Sequence, residues 1–87
     1  MVAAEPTLTT EDLGQVSART LIMAGDDDAI RPEHTLAMFR AIPDAELAII
    51  PGASHALIIE KPALCNQIMV DFLTAEPVPT YMPIRRA

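Results

Sequence analysis

Two short runs of almost wholly apolar residues, Thr20-Leu21-Ile22-Met23-Ala24 and Glu46-Leu47-Ala48-Ile49-Ile50, limit what this chain can fold into. Apolar side chains at consecutive rather than alternate positions suit parallel strands covered on both faces. Gly25 stops the first run and Pro51-Gly52 the second. Between them lies an acidic loop, Asp26 to Arg31, followed by Pro32, which sits well as a first helical residue with Glu33 near the positive helix end. The spacing predicts a helix from Pro32 to about Ala41, with Leu36, Phe39 and Ile42 inward, and Pro43-Asp44 turns the chain. A strand-helix-strand unit of this length makes a right-handed parallel crossover. Pro62 opens a last helix whose stripe Cys65, Ile68, Met69 and Phe72 follows i, i+3, i+4, i+7. The fold class is therefore α/β.

The flanks are less regular. Thr7 to Ser17 reads as a connector with a short helical turn, capped by Thr9 or Thr10, carrying Glu11 and Asp12 in its first turn and weakened by Gly14. Beyond Ala75, the run from Glu76 through Pro83 is extended and polyproline-like. Residues 1–75 and the tail 76–87 are thus separate units, and no internal repeat is evident.

With 87 residues there is room for one small domain. The hydrophobic fraction of 51% excludes disorder, and one Tyr and two Phe leave the core to aliphatic side chains. A chain this short buries only about 60% of its unfolded surface, so it would gain from a partner surface. The net charge of −6 excludes nucleic acid, which calls for clustered Lys and Arg; Arg85 and Arg86 are too few. Cys65 is the only cysteine, which excludes an internal disulfide and fits a reducing compartment. Met1 to Glu5 lack a signal peptide's pattern, and no apolar run reaches the roughly 20 residues that span a bilayer. A cytoplasmic protein with no membrane partner is the expectation.

Polar loops at the carboxyl ends of parallel strands are where ligands and catalytic groups usually sit. Here Asp26-Asp27-Asp28 and Ser54-His55 occupy both ends. Adjacent strands lie about 4.8 Å apart, so an aspartate after the first and a histidine after the second can meet. A carboxylate that accepts from imidazole Nδ1–H fixes the tautomer and stabilises the imidazolium. The other ring nitrogen is then a general base toward a nucleophile.

The run from Arg19 to Pro32, RTLIMAGDDDAIRP, resembles the acid-bearing strand and loop of α/β-hydrolases, where a glycine precedes the acid by three positions, here Gly25 and Asp28. The run from Ile42 to Pro62, IPDAELAIIPGASHALIIEKP, is similar to that family's last strand and histidine loop, with Pro-Gly before the histidine and Glu-Lys-Pro at the final helix. Together the similar segments cover Leu8 to about Ala75. The resemblance implies that Asp28 is the triad acid, that His55 is the triad base, and that the two strands are the last two of a partial α/β-hydrolase sheet. It also implies a nucleophile upstream on a G-x-S-x-G elbow. Upstream of Asp28 the only serine is Ser17, and no elbow is present. Gly52-Ala53-Ser54-His55-Ala56 imitates one but ends in alanine and follows the acid, so Ser54 is a poor nucleophile.

Alternatives remain open at this level. Asp26 or Asp27 could be the stronger partner of His55, or the triplet could hold Mg²⁺. His34 reads as a helix-surface residue, Cys65 as core, and Met23, Met38 and Met69 as core filler. No cofactor and no metal site are expected. Two functions compete. One is a hydrolase segment, inactive alone for lack of nucleophile and oxyanion donors, acting on small-molecule esters or carbon–carbon, epoxide or halide bonds only in a completed site. The other is a non-catalytic module whose open strand edge pairs with a second copy or a separate N-terminal hydrolase fragment.

Overall fold

The computed structural model describes residues 9–85. Met1 to Glu5, the Thr7 and Leu8 of the expected connector, and Arg86 lie outside the described residues. A short helix α1 (Thr10–Gly14) is capped by Thr9, whose Oγ1 accepts from Asp12 N–H while Thr9 N–H donates to Asp12, both at 3.1 Å. This reciprocal pair satisfies two helix-end groups that would otherwise lack partners. Then follow β1 (Thr20–Gly25), α2 (Pro32–Ala41), β2 (Ala45–Ile50), α3 (Leu57–Glu60) and α4 (Pro62–Thr74).

The strands pair in parallel, with register running from Thr20 opposite Ala45 to Gly25 opposite Ile50. The acidic loop and the histidine loop therefore leave the sheet at the same level. Alternation along the strands feeds two separate cores. Ile22 and Ala45 pack with Leu13, Met38 and Ile42 on the α1–α2 side. Ile50 packs with Ala53, Leu57 and Cys65 on the α3–α4 side, where Met23, Ala48, Ile68 and Met69 join them. The expected stripe of α4 is thus the one that faces the sheet, and Cys65 is fully buried.

Two expectations shift. The inward residues of α2 are Thr35, Met38 and Ile42, with Phe39 half-buried and Leu36 exposed. Both stripes satisfy the helical period, and the crossover geometry presents the Thr35–Met38 side to β1 and β2. Coverage of β2 is also less complete than that of β1, and Ile49 is 45% exposed. The two strands and four helices among the described residues do not provide enough surface to seal both faces of both strands.

Two arginines tie the ends of the long helices. Arg19 stacks on the Phe72 ring with Cζ 4.0 Å from its centroid, donates to the Phe72 carbonyl, and pairs with Glu46 at 2.8 Å. The last turn of α4 carries no basic residue of its own, so Arg19 supplies the cation that a helix carboxyl end favours. Arg85 does the same for α2: it stacks on Phe39 at 4.2 Å and donates to the carbonyls of Phe39 and Ile42, each at 2.7 Å. The irregular segment from Ala75 to Arg85 consequently bridges the two helical layers at the amino ends of the strands.

Candidate active site

At the opposite, carboxyl ends of the strands, the two loops are pressed together by a glycine. A Cβ placed on Gly25 would lie 2.1 Å from the Ala53 carbonyl oxygen and 2.5 Å from that of Ser54. Both distances are far inside van der Waals contact with backbone that has no side-chain freedom to yield. Hydrogen bonds fasten the same junction. Asp26 N–H donates to the Ile50 carbonyl at 3.1 Å, and Asp27 N–H to the Ala53 carbonyl at 2.9 Å. Asp26 Oδ1 accepts from Ala53 N–H at 3.3 Å. Gly52, with φ of 65°, makes the left-handed turn that carries the chain off β2, a conformation costly for any residue with a Cβ.

The three consecutive aspartates separate into distinct roles. Asp26 braces the histidine loop and Asp27 is exposed. Asp28 turns inward, its side chain only 4% exposed. Its Oδ2 accepts from Gly25 N–H at 3.2 Å and its Oδ1 from Ile30 N–H at 3.0 Å. The Asp28 Oδ1 also lies 3.0 Å from His55 Nδ1. Burial pushes the Asp28 carboxyl up, but the Ile30 and Gly25 amides together with the His55 ring outweigh it and hold the group below its ordinary value. Asp28 is accordingly a fixed anion. It selects the His55 tautomer with hydrogen on Nδ1, which leaves Nε2 as a free base on an imidazole that is 66% exposed.

Ser54 does not face this imidazole as a nucleophile would. Its hydroxyl donates to Glu60 Oε1 at 2.8 Å, and its Oγ accepts from Ala56 N–H at 3.2 Å. The Ser54 backbone N–H also donates to Glu60 Oε1, at 2.7 Å. Cys65 is equally occupied, its thiol directed at the Leu57 carbonyl 3.5 Å away inside the core. Among the described residues no hydroxyl or thiol is hydrogen-bonded to His55. Nor, among them, do three or more His, Cys, Asp or Glu side chains converge as metal ligands would. In place of the Mg²⁺ alternative, Asp26 accepts from Ala53 N–H and Asp28 from Gly25 N–H and Ile30 N–H while lying against His55 Nδ1. His34 lies exposed in the first turn of α2. A groove of about 600 Å³ opens at the far end of the strands, lined by Arg19, Glu46, Phe72 and the start of the tail, and includes neither Asp28 nor His55. No helix among the described residues is long and apolar enough to cross a membrane.

The structure brings Asp28 and His55 together as the sequence reasoning expects, and places Glu60, read from the sequence only as part of a helix-start motif, against Ser54. The signal available was a carboxylate six residues after Ser54, one short turn beyond a loop that must be held rigid.

No protein-family model matches the chain. Among curated proteins, it is 40% identical over 53 residues to the proline iminopeptidase PfmaB of Pestalotiopsis fici, covering 60% of this chain and 19% of that protein. It is 36% identical over 62 residues to the 2-hydroxy-6-oxo-6-phenylhexa-2,4-dienoate hydrolase of Burkholderia cepacia, covering 70% of this chain and 22% of that enzyme. Among solved structures, a meta-cleavage product hydrolase superposes with a TM-score of 0.74 at 24% identity, over 79% of this chain and 26% of that one. The chain therefore spans about a fifth of the length of the curated relatives it matches.

Proposed function

Because the chain belongs to the α/β-hydrolase superfamily and forms its C-terminal portion, with acid strand and histidine loop, we propose that it supplies the acid and base of a hydrolytic triad. In this reading Asp28 is the triad acid and His55 the base. Nε2 of His55 takes the proton of an attacking hydroxyl, thiol or water, and later returns it to the leaving group. Asp28 holds the ring in the required tautomer and stabilises the imidazolium between the two transfers. The observation that carries the reading is the 3.0 Å contact between His55 Nδ1 and a nearly fully buried Asp28 carboxylate.

The nucleophile and oxyanion donors come from residues other than those described, since Ser54 and Cys65 are engaged elsewhere. His55 accordingly stands on an open surface. Ester bonds, or the carbon–carbon, epoxide or halide bonds that the family resemblance implies, are the substrate class, in a site completed by an elbow-bearing segment. Residues 1–75 form the hydrolase portion and 76–87 a tail, of which Arg85 is fastened to α2. A cytoplasmic location rests on Cys65 being the sole cysteine, buried and reduced.

The test uses the 87-residue chain alone and the same chain joined to an elbow-bearing N-terminal hydrolase segment, each assayed on a p-nitrophenyl ester. The chain alone should be inert. The joined protein should turn over and lose about 10³-fold or more in kcat with His55→Ala. Robust turnover by the chain alone, abolished by His55→Ala, would overturn the assignment of the nucleophile.

A second reading, a non-catalytic pairing module, is favoured by one observation. Strand β1 is largely buried on both faces yet, among the described residues, hydrogen-bonds to a strand on one side only, β2. Such an edge pairs with another chain unless covered, and a two-stranded sheet rarely stands alone. A second copy, or a separate N-terminal hydrolase fragment, is the fitting partner. Sedimentation at low micromolar concentration should then give a dimer or a complex, and a sharply folded monomer counts against this reading.

A further inference from the structure

His55 must hold one orientation although two thirds of its side chain is in solvent. Packing alone does not lock such a ring, so its backbone has to be fixed by other means. On the upstream side, Ala53 is fixed through both its N–H and its carbonyl to Asp26 and Asp27. On the downstream side a single oxygen organises the loop. Glu60 Oε1 accepts from Ser54 N–H at 2.7 Å and from Ser54 Oγ–H at 2.8 Å. Ser54 Oγ in turn accepts from Ala56 N–H at 3.2 Å. Glu60 N–H donates to the Ala56 carbonyl at 3.0 Å, which closes a ring of hydrogen bonds around residues 54 to 60. Both sequence neighbours of His55 belong to that ring.

We propose that Glu60 is a positioning residue for His55: by accepting both Ser54 donors on one carboxylate oxygen, it clamps the loop so that Nδ1 meets Asp28. The inference rests on the dyad reading above but concerns a residue that touches neither Asp28 nor the imidazole. It also assigns Ser54 a structural part, as a relay between Glu60 and Ala56. The Ser54 donors hold the Glu60 carboxyl below its ordinary value, as expected for an acceptor engaged in its ionised form. Because both bonds end on Oε1, an amide carbonyl can replace it. The acceptor is required and the charge is not.

That distinction makes the test specific. The full chain, uniformly ¹⁵N-labelled, is compared as wild type, Glu60→Gln, Glu60→Ala and Ser54→Ala. The readouts are the His55 ring-nitrogen shifts at alkaline pH and amide exchange at Ser54 and Ala56. His34, exposed on α2, is the internal reference. In wild type and Glu60→Gln, His55 should show the Nδ1–H tautomer and protected loop amides. In Glu60→Ala the His55 shifts should move to those of His34 and protection should fall about tenfold. Ser54→Ala should lose Ala56 protection while Ser54's own position stays protected through its retained N–H bond. Unchanged shifts and protection in Glu60→Ala would overturn the proposal, as would a Glu60→Gln variant no better than Glu60→Ala. The dyad reading fails separately: wild-type His55 would then lack the Nδ1–H tautomer, and amide exchange alone would decide the clamp.

Discussion

The junction of the two loops predicts opposite outcomes for the same substitution at different glycines. In Gly25→Ala, the new methyl must move from 2.1 Å to at least about 3.2 Å from the Ala53 carbonyl oxygen, a backbone displacement of about 1 Å. The Ala53 carbonyl it strikes accepts from Asp27 N–H, and the adjoining Ala53 N–H donates to Asp26, so the shift strains both loop-to-loop bonds. Overpacking costs about 1–3 kcal/mol, and each weakened hydrogen bond adds about 1 kcal/mol. With two such bonds the sum is about 3–5 kcal/mol. For a domain of this size each kcal/mol lowers Tm by roughly 4–8 °C, so the midpoint should fall by at least about 10 °C. Gly14→Ala is the control: the nearest atom to its Cβ is Ala41 O at 3.9 Å, and the residue ends α1. It should be neutral or stabilising by about 0.5 kcal/mol. Gly52→Ala should cost about 1 kcal/mol from its left-handed backbone. Circular-dichroism melts and urea titrations measure all three. A Gly25→Ala midpoint within about 2 °C of wild type would refute the close approach of the two loops.

Acid should destabilise the fold partly through Asp28. Its carboxyl titrates lower folded than unfolded, so its stabilisation is full above the ordinary carboxylate value and is lost as pH falls through the folded value. Asp28→Asn should flatten that limb of a stability-against-pH profile, and an unchanged limb contradicts the assignment. Arg19→Ala removes the Glu46 pair, a helix-end bond and a ring stack, and should cost about 1–2 kcal/mol in urea unfolding. Arg85→Ala, on a more exposed site, should cost about 1 kcal/mol or less and free the tail to proteolysis without loosening β1 or β2.

What could be read from residues alone followed local rules. Consecutive apolar residues mark both strands, Pro32 and Pro62 mark two helix starts, and of the two capping candidates, Thr9 and Thr10, the structure uses Thr9. Asp28 and His55 were legible because parallel pairing puts their loops at one level, a consequence of topology that needs no contact map. Choosing Asp28 over Asp26 and Asp27 rested on resemblance. Its physical basis is the pair of amides at Gly25 and Ile30, which exists only once the turn is folded. The inward face of α2 was misread because Leu36–Phe39 and Thr35–Met38 share the helical period, and tertiary packing decides between them. The four-residue α3 is too short to carry a period. Arg85 reaches Phe39 across 46 positions, a link to which no local pattern points.

The account depends on a carboxylate that three donors approach at once: Gly25 N–H, Ile30 N–H and His55 Nδ1–H. An amide at position 28 has only one oxygen and cannot accept from both sides. The ¹⁵N shifts of the His55 ring in wild type and Asp28→Asn test this most directly. Wild-type His55 should carry its proton on Nδ1, and Asp28→Asn should mix or reverse the tautomers while His34 stays unchanged. A wild-type His55 already averaged like His34, and indifferent to Asp28→Asn, would contradict it.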